Sequence, residues 1–95
     1  MDISIDYTKA ERQAQALEQC ASDLQQQSGE LNSIISAVRR SWQGDTAIAY
    51  IRKLEVLESE LRASADRCSN DAVEFRARIE TIKRADEEAR AAMED

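Results

Sequence analysis

Apolar residues return at every seventh position through the first half of the chain. Leu17, Leu24, Leu31 and Val38 form one row, and Ala14, Ala21, Ile35 and Trp42 form its companion. Such rows, separated by Gln, Glu, Asp, Ser and Arg, are the mark of a helix that buries one stripe against another helix. The pattern restarts after residue 44. Leu54, Leu61, Cys68, Phe75, Ile82 and Ala89 make one row, and Ala47, Ile51, Ala65, Ala72, Ile79 and Met93 lie in or beside the flanking row. Glu58 and Asp86 interrupt that flanking row, and Leu57 is expected to stand in for Glu58. Gly29 falls inside the first pattern. It costs about 1 kcal/mol relative to Ala there and reads as a weak point or local bend.

The two halves meet at "VRRSWQGDTAIAY", which holds the chain's single tryptophan, Trp42, and one of its two glycines, Gly44. Glycine suits the left-handed residue that ends a helix, where a side chain is penalised. Asp45 is the candidate N-cap of the next helix, with Thr46 as a fallback. So short a connection forces the helices to fold back antiparallel. The pattern therefore predicts an all-α fold: one antiparallel two-helix hairpin over 1–95, with helices over about 7–42 and 46–92. The turn falls at 43–45, and the ends, 1–6 and 93–95, are expected to be flexible. Trp42 should pack between the last turn of one helix and the first turn of the other.

A reversal centred between Gln43 and Gly44 sets facing residue numbers to sum to about 87. Leu31 then meets Val56 and Leu57, and Cys20 falls opposite Arg67 and Cys68. Two readings of Cys20 and Cys68 follow. They are either small buried hydrophobes or a disulfide across the arms, which would contribute roughly 3–4 kcal/mol by the chain-entropy estimate in an oxidising compartment.

The second helix should outrun the first, reaching roughly 70 Å against roughly 50 Å. Ile79, Ile82 and Met93 are then left partly bare. Ala49, Val56, Ala63 and Ala77 recur at heptad spacing on a different face of the second helix, with Val73 nearby. These eight residues are the candidate partner interface. A lone hairpin buries little, so two hairpins are expected to dimerise into a four-helix bundle.

Composition narrows the function. A net charge of −6 disfavours nucleic acid and anionic membrane surfaces. Histidine is absent, which removes the commonest metal ligand and general base. Neither catalysis, nor a cofactor, nor a metal site is expected. No apolar run approaches the roughly 20 residues of a spanning helix, and "MDISIDYTKAERQ" lacks the apolar region of a signal peptide.

A hairpin of this size with Trp-x-Gly at its bend resembles the WXG100 family, the small helical substrates and accessory subunits of type VII (Esx-type) secretion systems. The resemblance rests on "ISIDY" before the first helix, on Ser41, Trp42 and Gly44, and on Ala47 and Tyr50 after the turn. It implies a partner that is another helical hairpin, or the helical N-terminal domain of a secreted toxin. It also implies export without a cleaved signal peptide, from the cytoplasm to the cell surface or beyond, driven by a secretion ATPase. Members or their partners often carry a C-terminal tyrosine followed four residues later by an acidic residue. The tail "EFRARIETIKRADEEARAAMED" has no tyrosine. The resemblance therefore favours a heterodimer subunit, or a toxin-targeting adaptor, in which the partner supplies the signal to the ATPase. The competing readings are a cytosolic coiled-coil structural or regulatory subunit and a subunit of a secretion needle or filament.

Overall fold

The computed structural model describes residues 7–94. Two helices, α1 (Tyr7–Ser41, 35 residues) and α2 (Asp45–Glu94, 50 residues), fold back on one another. They form a hairpin with principal extents of 78 × 18 × 15 Å. The expectation for residues 1–6 lies outside the described residues, as does that for Asp95. Residues 93 and 94 are helical, so α2 continues two residues past its expected end.

The reversal has the expected three residues but falls one position earlier, at 42–44. The Trp42 N–H still donates to the Val38 carbonyl at 2.8 Å, closing α1. The Gly44 carbonyl already accepts from the Ile48 N–H at 3.2 Å, opening α2. Gly44 has φ of +97°, a backbone region that a Cβ penalises. Gly44 therefore takes the capping position, and Asp45 is the first helical residue instead of the cap. There its carboxylate faces the positive end of α2, while Arg39 and Arg40 occupy the last turn of α1 at its negative end.

Small side chains dominate the middle of the seam. Ala14 and Ala65 are fully buried, and Ala21 and Ala72 nearly so. Alanine lets two helices approach closely, and the leucines are displaced to the flank, where Leu17, Leu24, Leu31, Leu54 and Leu61 are only half-buried. Nearer the bend, Ile35, Val38 and Ile51 form an apolar cluster against which Leu31 and Leu54 pack.

Two seam expectations need correction. Glu58 stays in the seam, accepting a hydrogen bond from the Ser28 hydroxyl at 2.9 Å, and Leu57 points outward. Serine satisfies the carboxylate that an apolar neighbour would have expelled. Trp42 is not packed between the helices: it is 51% exposed. Because α1 ends at Ser41, the indole leaves the seam and stacks on Tyr50, with centroids 5.6 Å apart and planes inclined by 25°.

Candidate partner-binding surface

Heptad arithmetic gives the hairpin two unlike edges. On one, residues flanking the seam pair across the helices. Lys83 donates to Glu11 at 2.9 Å, Arg76 to Glu18 at 3.0 and 2.7 Å, and Arg39 to Glu55 at 2.9 Å. The hydrogen bond from Lys83 and its charge hold Glu11 below the usual carboxylate range, and Arg76 does the same for Glu18. Glu11 in turn raises Lys83, whose ammonium also sits 5.2 Å from the centre of the Tyr7 ring. Glu58 is lowered first by its hydrogen bond from Arg62 and then by that from Ser28. The first edge is thus a ladder of ion pairs, each solvated and individually weak, which together suit a single register.

The other edge is apolar. It carries the half-buried rows Leu17, Leu24 and Leu31 on α1 and Leu54, Leu61 and Phe75 on α2. Farther out on the same side are Ile34 and Leu57, 51% and 47% exposed. Toward the open end, Tyr7, Ala10, Phe75, Ile79 and Ile82, with Gln13 and Arg78 at the margin, line a mainly apolar groove of about 330 Å³. Sequence reasoning placed these leucines inside a closed seam and missed that alanine, by taking its centre, leaves them partly bare. The signal was present as alanine at one heptad position and leucine at the next.

The residues singled out from sequence distribute unevenly. Ala49, Val56, Ala63 and Ala77 are exposed, and heptad spacing puts them on the side of α2 away from α1. Val73 is 68% exposed, Ile82 42% and Met93 85%. Ile79 departs from the group: at 8% exposure it is buried near Tyr7 and Ala10, because α1 reaches far enough to cover it. At the bend, Trp42 and Gly44 border an open hollow of about 460 Å³ that also takes in Arg39, Ile48 and Arg52. Cys20 and Cys68 do meet across the hairpin, as free thiols.

Among the described residues, no group of His, Cys, Asp and Glu is arranged to hold a metal ion, and no helix is long and apolar enough to cross a membrane.

The described residues thus form a helical hairpin with one charged and one largely apolar edge. The chain belongs to the PPE family, whose model matches residues 9–95. This finding corrects the resemblance to WXG100 proteins, a different family that is also helical and also tied to type VII secretion. A Trp-x-Gly bend marks a chain reversal, which this PPE-family chain makes, so those residues do not by themselves assign the family. The family makes this a type VII secretion-associated protein. No curated protein and no solved structure matches the chain.

Proposed function

We propose that this protein is a non-catalytic type VII secretion substrate or accessory subunit that acts by laying its apolar edge against a helical partner. The observation that carries this reading is the leucine flank. Leu17, Leu24, Leu31, Leu54 and Leu61 are half-buried in the hairpin, so their remaining apolar area is withdrawn from water only by another surface. A partner helix or hairpin laid along that edge completes a bundle with conventional packing.

A partner unlike this chain is favoured over a second copy, since each copy carries a net charge of −6 and like charges oppose close association. Another helical hairpin or the helical N-terminal region of a secreted toxin has the required shape. The partner, by this reading, makes the contact with the secretion ATPase, and export proceeds without a cleaved signal peptide. A cytosolic coiled-coil subunit is the alternative function class, and location separates the two.

The test is to tag the chain in its native cell and follow it with the type VII ATPase present and removed. The reading expects ATPase-dependent appearance outside the cell and co-purification of one helical protein, lost in Leu24→Asp and Leu61→Asp variants. Retention in the cell with the ATPase active, or a partner that survives both substitutions, overturns it.

A further inference from the structure

We propose that Cys20 and Cys68 form an oxidation-sensitive clasp, a thiol pair across the two arms that a low-molecular-weight disulfide converts to an intramolecular disulfide. The Cys68 S–H donates to the Cys20 sulfur at 3.8 Å, across 48 positions of chain. Closing to a bond length of about 2.05 Å asks for an approach of about 1.8 Å, within reach of side-chain rotation with a small shift of the helices.

The surrounding structure holds the pair in place. Ala21, Ala65 and Ala72 keep the helices close on either side of the thiols. The Ser28–Glu58 hydrogen bond fixes the register toward the bend, and the Glu18–Arg76 pair fixes it toward the open end. The thiols lie on the apolar edge, so no ion pair has to break for them to join.

The chemistry divides the roles. Cys20 is exposed and Cys68 half-buried. The hydrogen bond to Cys20 and burial both push the Cys68 thiol up, away from the thiolate that attacks. Cys20 therefore reacts first. Its thiolate, formed by loss of a proton to solvent, attacks one sulfur of the small disulfide, joins it, and releases the other half as a thiol. Cys68 then loses its proton and attacks Cys20 at sulfur, forming the Cys20–Cys68 bond and expelling the second small thiol. The protein gives up two hydrogens, and one small disulfide becomes two thiols.

The clasp stands independently of any partner. The experiment uses the dilute full chain alone, incubated with oxidised glutathione and followed by alkylation and intact-mass measurement. The expected product is a monomer lighter by two hydrogens that takes no alkylating label. Its melting temperature should rise by more than about 10 °C and return on reduction with dithiothreitol. Cys68→Ser should stop at a glutathione adduct on Cys20, and Cys20→Ser should react several-fold more slowly. Two alkylated thiols in the wild-type chain, stable adducts on both cysteines, or a disulfide-linked dimer would each overturn the proposal. None of these readouts involves secretion or a second protein.

Discussion

The Ser28 hydroxyl donates to the Glu58 carboxylate at 2.9 Å in the middle of a seam otherwise built from alanine, isoleucine and valine. Ser28 is the one buried polar residue among those described, and Glu58 is drawn off on its outer side by Arg62. Buried polar contacts of this kind cost stability relative to apolar packing but disfavour a shifted register. The double substitution Ser28→Ala with Glu58→Leu should raise the melting temperature while broadening hydrogen exchange along the seam. Ser28→Ala alone should lower the melting temperature slightly, by removing one of the two hydrogen bonds that hold the carboxylate.

The two glycines should respond in opposite directions. A Cβ at either position meets nothing within 4 Å, so neighbouring atoms do not decide the outcome. Gly29 is helical, and Gly29→Ala should stabilise by about 0.5–1 kcal/mol. Gly44 sits at φ +97°, and Gly44→Val should destabilise by about 1–2 kcal/mol through backbone strain alone. Urea titration of the two variants under identical conditions reads both.

Trp42 is half exposed and stacked on Tyr50. Trp42→Ala should therefore cost about 1 kcal/mol, well short of the roughly 3–5 kcal/mol of a fully buried aromatic. The same geometry predicts solvent-like tryptophan emission from the free chain and efficient quenching by acrylamide. A large loss of stability would mean that the indole is held inside the bend.

Ala14 and Ala65 have no exposed surface, and the close approach of the helices leaves no room for growth there. Ala65→Leu should destabilise by about 1–3 kcal/mol by forcing the helices apart. Ala63→Leu, two residues away on the exposed side, should be nearly neutral. Thermal denaturation of the pair isolates seam packing from helix propensity, since the residue introduced is the same.

Stability should fall in acid. Glu11, Glu18 and Glu58 are all held below the ordinary glutamate value of 4.5 in the folded chain by their hydrogen-bonded cations. A carboxylate lowered on folding stabilises fully above its unfolded value and loses that contribution as pH drops through its folded value. Melting temperature should thus decline from about pH 4.5 downward. Lys83 is raised above 10.5, so its contribution is complete below that value and is lost as pH climbs through the folded one. Glu11→Gln should flatten both limbs together, because it removes the partner that shifts Lys83.

The fold was legible because its signals are periodic. Rows of seven named the helices, and Gly44 located the reversal. The register, with facing numbers near 87, brought Cys20 to Cys68 and lies within a residue of the Ser28–Glu58 pair. What escaped is finer than period. Leucine and alanine both count as apolar, yet size decides which row takes the centre of a close-packed seam, and so which edge stays greasy. Glu58 read as an interruption because its satisfying serine lies thirty positions away. Trp42 read as core because the heptad was carried one residue beyond the true helix end. The family escaped as well, since a bend motif describes a local shape and does not assign a family.

Beyond Tyr7, which lines a hollow with Lys83, Asp86, Glu87 and Arg90, α2 runs on to Glu94 with no described residue of α1 beside it. The hairpin is therefore a rod with a handle. Anything gripping that handle does so without disturbing the paired shaft. Cutting back residues 88–95 should leave the melting midpoint of the shaft where it was, while abolishing any hold taken on the protruding turns.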